Sequence, residues 1–275
     1  GKSPSRWLRQ DCLELYQQEM APKATRVTKR ARLIRFSASR AFSLRARFPE
    51  AQFLEFGVHE GKDIYRLAPF LVSLQKQLKG TNPRLAPALD IPLVIHGFDS
   101  FEGLPEDWEN GQRRADGSLV HEAGAFNVDG QAPQLDQLQQ QMDLGNRNDV
   151  STLQQHVQFH KGWFHETLPP FLASRQPSPP VAFCHADADL YSSTKTFLSL
   201  LCQGKLLVKG SILLFDEYWN YPNWQQGEFL AWQEIVEQYN ISFEYFAYHA
   251  PPDKDKELNT YGYQSVCIRV TKDMI

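Results

Sequence analysis

The chain has 275 residues, of which 42% are hydrophobic and 12% aromatic; this is enough to bury one large core and excludes a disordered polypeptide. Its 29 basic and 32 acidic side chains leave a net charge of −3, so no global pull toward nucleic acid or an anionic membrane is expected. Four cysteines (Cys12, Cys184, Cys202 and Cys267) are too widely spaced for a zinc knuckle or a dense disulfide framework. Cys184 and Cys267 lie in apolar runs and read as buried, reduced thiols. No apolar run approaches the roughly 20 residues of a membrane span. No signal-peptide pattern opens the chain, and a cytoplasmic location follows by default, although Gly1 in place of Met leaves N-terminal targeting open.

Residues 1–48 read as a helical N-terminal extension or lid, with Trp7, Leu8, Cys12, Leu15 and Tyr16 at helix spacing. From Lys23 to Arg47 there are nine Lys or Arg and no acid, a pattern of a solvated helix face or a lid more than of a phosphate contact. After Pro49 short apolar runs alternate with helical stretches. Strands are expected at Phe53–Gly57, Leu93–Asp99, Val157–Lys161, Val181–Asp187 and Ser211–Asp216, the last a run typical of a strand buried on both faces. Helical patterns follow at Ile64–Leu78, with a kink or restart near Pro69, and at Leu135–Leu144, Thr194–Leu207 and Trp224–Tyr239. Alternation of this kind implies a doubly wound parallel sheet. Ser242–Tyr248 and Gln264–Val270 then read as two strands joined by a loop, an antiparallel hairpin at one edge.

Open α/β sheets bind ligands beyond the carboxyl ends of their strands, and three candidate sites fall there. The first is the loop Glu55-Phe56-Gly57-Val58-His59-Glu60-Gly61. Glycine permits close approach of a ligand edge, but the G-x-G-x-x-G pattern of a dinucleotide site is missing, and Glu55 would repel a pyrophosphate. An amino-acid-bearing cation such as S-adenosylmethionine tolerates that carboxylate; the structural alternative is a tight strand–helix turn. The second is Asp99, with Ser100 beside it. A carboxylate here can accept ribose hydroxyls, and either residue could instead cap a helix.

The third is the set of strand-end carboxylates, Asp187 and Asp189 after one strand and Asp216 and Glu217 after the next. Like charges gathered at one sheet edge are costly unless a cation neutralises them, and hard oxygen donors suit Mg²⁺; helix caps and surface acids are the structural alternative. Beside a methyl donor, such an ion can hold two vicinal oxygens of a substrate and favour ionisation of the attacking hydroxyl.

These motifs resemble those of the macrocin O-methyltransferase group of class I S-adenosylmethionine-dependent methyltransferases. The likeness covers roughly residues 50–240. It rests on Phe53-Leu54-Glu55-Phe56-Gly57-Val58, Asp99-Ser100-Phe101-Glu102-Gly103-Leu104-Pro105, and Lys161-Gly162-Trp163-Phe164-His165-Glu166-Thr167-Leu168-Pro169. Asp187-Ala188-Asp189-Leu190-Tyr191-Ser192-Ser193-Thr194 and Asp216-Glu217-Tyr218 follow in the same order. The resemblance implies a Rossmann-like α/β fold. Its sheet would be mostly parallel and seven-stranded, with the C-terminal hairpin, helices on both faces and a methyltransferase domain over residues 49–275.

By the same likeness Glu55, Gly57, Gly61, Asp99, Ser100 and Trp163 hold S-adenosylmethionine, and the Gly162–Phe164 loop flanks its adenine. Asp187, Asp216 and Glu217 would hold Mg²⁺. Glu217 stands where the family more often has a second Asp, and Asp189 is the substitute ligand. Asp187 and a general base, His165 ahead of His185, would carry the chemistry. The acceptor is expected to be a hydroxyl on a sugar or secondary metabolite, with no nucleic-acid or membrane partner and a homo-oligomer left open. Glu106–Asp149, with Gly124-Ala125-Phe126-Asn127, has the composition of a lid, and the aromatics of Tyr218–Trp224 could stack on a ring or pack the next helix. The competing readings are an NAD-linked oxidoreductase and a non-catalytic cofactor-binding scaffold.

Overall fold

A computed structural model describes residues 16–20, 22–83, 86–109, 113–134, 154–250 and 263–274. The helical patterns expected around Trp7–Leu15, with Cys12, and over Leu135–Leu144 lie outside the described residues. The strands are β1 (Thr25–Val27), β2 (Gln52–Phe56), β3 (Ile95–Asp99), β4 (Val157–Lys161), β5 (Val181–Ala186), β6 (Ile212–Phe215), β7 (Phe243–His249) and β8 (Val266–Val270). The helices are α1 (Arg30–Arg45), α2 (Lys62–Thr81), α3 (Phe164–Ala173), α4 (Tyr191–Gln203) and α5 (Glu228–Tyr239).

All eight strands form one sheet in the order β1-β7-β8-β6-β5-β2-β3-β4, so the expected count of seven is one short. The additional strand is β1, three residues that pair in parallel with β7 and are too short to carry a period-two signal. Its presence also moves the C-terminal hairpin inward. β8 pairs antiparallel with both β6 and β7, and β1 occupies the edge. Among the described residues no helix is long and apolar enough to cross a membrane.

Alternating strand residues feed two cores. Phe53, Phe183 and Ile212 face the layer built from α1 and α2. Leu54, Phe56, Cys184, Leu213 and Phe215 face α3, α4 and α5. Phe56 is stacked on Phe98 at 5.0 Å and on Phe197 at 4.1 Å, and Phe164 meets it edge-on. This aromatic block clamps the start of α3 and the middle of α4 against the sheet. Cys184, Cys202 and Cys267 are buried free thiols. The basic stretch read as an extension contributes β1 to the sheet and α1 to the layer over β5 and β6.

Two helices depart from the sequence pattern. α2 runs through Pro69 without the expected restart, anchored on both sides by buried Ile64, Leu67, Ala68 and Leu71. α3 follows the Gly162–Phe164 loop directly, and its Pro169 and Pro170 hide it from a periodicity argument.

Near the β4 edge a row of polar groups is locked in one protonation state. Arg175 Nη2 lies 3.1 Å from His96 Nε2, and His96 Nδ1 lies 3.1 Å from His160 Nε2. A guanidinium only donates, so His96 accepts at Nε2 and donates from Nδ1 to His160. Burial, reinforced by the Arg175 charge, holds His96 down to about 3 and His160 to about 4. The unfolded chain takes up these protons near pH 6.5, the native chain only near 4 and below. The stability they contribute is therefore complete above pH 6.5 and drains away as the pH falls. Compared by urea denaturation between pH 7 and pH 4.5, the parent should lose stability relative to His160→Gln as the pH falls, by about one proton of slope; identical slopes would contradict this origin.

Candidate active site

The chain runs from β2 outward through β3 to β4, then returns to the other side of β2 for β5 and β6. That reversal opens a crevice at the carboxyl ends of β2 and β5, the usual ligand position in such sheets. A cleft of about 880 Å³ lies there, lined by Gly57, Asp99, Trp163, Asp187 and Glu217 among others.

Gly57 is fixed by the packing of its neighbours. It has φ +90°, and a Cβ placed on it would lie 1.7 Å from the Asp187 carbonyl oxygen. The Gly57 N–H donates to Phe98 O at 3.0 Å, and the Asp187 N–H donates to Phe56 O at 2.9 Å. The glycine therefore lets the ends of β2, β3 and β5 close together, which brings Asp99 and Asp187 to one cleft. Gly61 (φ +73°) begins α2 in the left-handed region. Asp99 ties the same loop down. Its Oδ2 accepts from the Val58 and His59 N–H groups at 2.7 and 2.8 Å, and its Oδ1 from Phe101 at 2.6 Å. Ser100 is buried and accepts from the Glu102 N–H at 3.1 Å.

Glu55 and His185 are directly opposite across β2 and β5, with Oε2 and Nδ1 3.3 Å apart and both side chains essentially inaccessible. Burial works against the imidazolium, but the Glu55 carboxylate outweighs it and holds His185 up to about 9. Burial also raises Glu55, against the pull of His185. A protonated, enclosed imidazole has no lone pair to offer a substrate, so His185 is a structural partner of Glu55. His165, by contrast, is exposed at the cleft rim, its side chain 68% accessible.

Asp187, Asp189 and Glu217 bring one carboxylate oxygen each within 4.8 Å of the others. At an effective dielectric constant near 20, three such charges repel by about 3–4 kcal/mol per pair, a total comparable with the stability of a whole domain. Asp187 is accordingly raised to about 7, by burial first and Asp216 second, with Arg30 opposing; burial and neighbouring carboxylates push Asp189 and Glu217 up as well. Asp189 sits at φ +59°, a left-handed conformation costing about 1 kcal/mol in a non-glycine residue. The buried Glu228, itself held up to about 8 by burial, accepts from the Glu217 N–H at 3.1 Å and fixes its backbone.

Asp216 is placed differently from the other strand-end acids. Arg30 reaches it from α1, bridging it to Asp187 and to Asp63 at the start of α2. Arg30 and Asp63 were not legible as site residues: one is among nine scattered basic residues, the other a first-turn helix acid.

Of the segment read as a lid, Glu106–Asp149, residues 106–109 and 113–134 are described; there Trp108 stacks on His121, and His121 in turn packs against Phe126. It is pinned to the Asp99–Pro105 stretch by Leu104 N–H to Ala125 O at 2.9 Å and Gly124 N–H to Leu104 O at 2.8 Å. Of the aromatics from Tyr218 to Trp224, Tyr221 lines the cleft, whereas Tyr218, Trp219 and Trp224 are core residues.

A sequence profile of the macrocin O-methyltransferase (TylF) family matches residues 93–242, more than half of the chain. The chain belongs to this family. It is an S-adenosylmethionine-dependent O-methyltransferase. Its fold is similar to that of CalS11, a calicheamicin methyltransferase, at 21% identity and a TM-score of 0.53 over 97% of this chain and 89% of that one. It is also similar to the O-methyltransferase NovP, at 20% identity and a TM-score of 0.51 over 88% and 80% of the two chains. No curated protein matches this O-methyltransferase in sequence.

The Gly57 contact gives a direct test. Gly57→Ala combines a forbidden approach with a positive φ, so it should cost more than about 2 kcal/mol and lower the melting temperature by at least about 4 °C. An unchanged melting temperature would show that the loop has room the contact denies.

Proposed function

We propose that this enzyme methylates a hydroxyl of a sugar or other secondary metabolite with the assistance of Mg²⁺. The observation that carries the reading is the convergence of Asp187, Asp189 and Glu217 within 4.8 Å beside a cleft large enough for cofactor and acceptor together. Three carboxylates so close need a counter-charge, and all-oxygen donors with room for water suit a magnesium ion. When bound, the ion supplies positive charge that favours ionisation of an acceptor hydroxyl. S-adenosylmethionine supplies the methyl group.

The chain's own residues then bind and orient. The Glu55–Gly61 loop, braced by Asp99, presents its backbone to the cofactor, with Gly57 and Ser100 shaping its path, Gly61 turning the chain into α2 and the Glu55 carboxylate held inside by His185. Asp99 Oδ2 is filled by the Val58 and His59 N–H groups, and Oδ1, which accepts only from Phe101, keeps one lone pair for a ribose hydroxyl. Trp163 offers a flat apolar wall for an adenine. The carboxylates around the cleft favour a cationic sulfonium and oppose the pyrophosphate of a nicotinamide cofactor, which disfavours the oxidoreductase reading. Trp108, His121, Phe126 and Tyr221 form an aromatic side on which a sugar or polyketide ring can stack. His165, open to the cleft, takes the acceptor proton. Within the stretch read as an extension or lid, α1 brings Arg30 to the carboxylates.

The test uses purified enzyme, S-adenosylmethionine and a panel of vicinal diols on sugars and glycosides, with release of the demethylated cofactor followed by mass spectrometry. Chelation by EDTA should slow turnover at least tenfold, with recovery on adding Mg²⁺, and Asp187→Asn should lower it about 100-fold or more. Full turnover after chelation would overturn the metal assignment. Absence of any calorimetric binding of S-adenosylmethionine or its product would overturn the cofactor site.

A further inference from the structure

The site already contains one cation, and it belongs to the chain. Arg30 is the first residue of α1, and its guanidinium contacts carboxylates on three other segments. Nε donates to Asp216 Oδ1 and Oδ2 at 2.6 and 2.8 Å, Nη2 to Asp187 Oδ2 at 2.8 Å, and Nη1 to Asp63 Oδ2 at 2.5 Å. All three guanidinium nitrogens are thus engaged, an arrangement that needs the planar fork of arginine. Asp216 Oδ1 accepts a further bond from Ser265 Oγ at 2.8 Å, so both oxygens of Asp216 are committed to protein donors.

The neighbouring acids are not committed in this way. Asp187 gives only Oδ2 to Arg30, and Glu217 Oε2 is buried without a hydrogen-bond partner. Asp189 holds its left-handed backbone beside them. The three acids that approach within 4.8 Å of one another are those that Arg30 leaves wholly or partly free.

We propose that Arg30 is a resident cation and positioning residue that commits Asp216 to itself and leaves Asp187, Asp189 and Glu217 as the donor set for a divalent ion. This rests on the magnesium-assisted reading above and deepens it. It reverses the roles expected from the strand-end order, in which Asp216 ligates and Asp189 stands in reserve. A fixed guanidinium beside the ion site has two physical effects. It orients Asp187, whose other oxygen is then presented to the ion, and its positive charge weakens the ion's binding. Three protein oxygens leave open positions for water and substrate, the usual condition for Mg²⁺.

The test is Mn²⁺ binding to the intact chain, read from the electron paramagnetic resonance signal of free Mn²⁺, with no turnover required. The parent should bind one Mn²⁺. Asp189→Asn should weaken binding at least tenfold, and Asp216→Asn should leave it within about threefold. Arg30→Gln removes the competing charge and should tighten binding at least threefold, and in that background Asp216→Asn should now weaken it. Arg30→Lys keeps the charge without the fork and should bind Mn²⁺ more weakly than Arg30→Gln, which separates electrostatics from a folding defect. If Asp216→Asn weakens the parent as much as Asp189→Asn does, the inference fails while the magnesium reading stands. If Arg30→Gln is folded, by unchanged circular dichroism, yet binds Mn²⁺ more weakly, Arg30 is not a competing cation and the inference fails. If the parent binds no Mn²⁺, the magnesium reading fails and takes this donor set with it.

Discussion

Carboxylates can be gathered at the mouth of a half-buried cleft only if something positive is gathered with them. In this O-methyltransferase that constraint organises the molecule around the ends of β5 and β6. Asp216 is neutralised by Arg30, whose guanidinium also reaches Asp187 and Asp63. Glu55 is neutralised by His185 one layer deeper. What remains on Asp187, Asp189 and Glu217 is a compact set of carboxylate oxygens that Arg30 meets only at Asp187 Oδ2, set beside the Glu55–Gly61 loop. Local neutralisation therefore sorts the acids into two groups: those that hold the fold and those open to a ligand.

Geometry enforces this sorting through main-chain contacts. The Gly57 turn lets the Asp187 carbonyl approach, and Asp99 ties the backbone of the same turn from the next strand. The ends of β2, β3 and β5 are thereby held together by main-chain contacts and one carboxylate. The aromatic block at Phe56, Phe98, Phe164 and Phe197 lies directly beneath and resists deformation of that arrangement.

Much of this was legible in the sequence because it depends on local pattern. Strand positions follow from short apolar runs, and β4 is found at Val157–Lys161 as its alternation implies. The carboxylates fall at strand ends because the chain must turn there. What was not legible depends on distance along the chain. Arg30 lies 186 residues from Asp216, and nothing in its own neighbourhood distinguishes it from Arg32 or Arg35. β1 is three residues long and is defined only by its partner. The role of Gly57 as a seat for a carbonyl of another strand, and of His185 as a buried counter-ion, likewise required knowing what lies opposite.

The short strand β1 has one further consequence. By pairing with β7 it supplies main-chain partners to a strand that would otherwise present open amides and carbonyls to solvent, a template for intermolecular sheet growth. Arg30, which neutralises Asp216, follows only three positions after that strand. Solubility and site assembly are therefore secured by one stretch of chain: a proteolytic clip between Thr25 and Arg30 would at a single stroke create a sticky sheet margin and release Asp216 from its counter-ion.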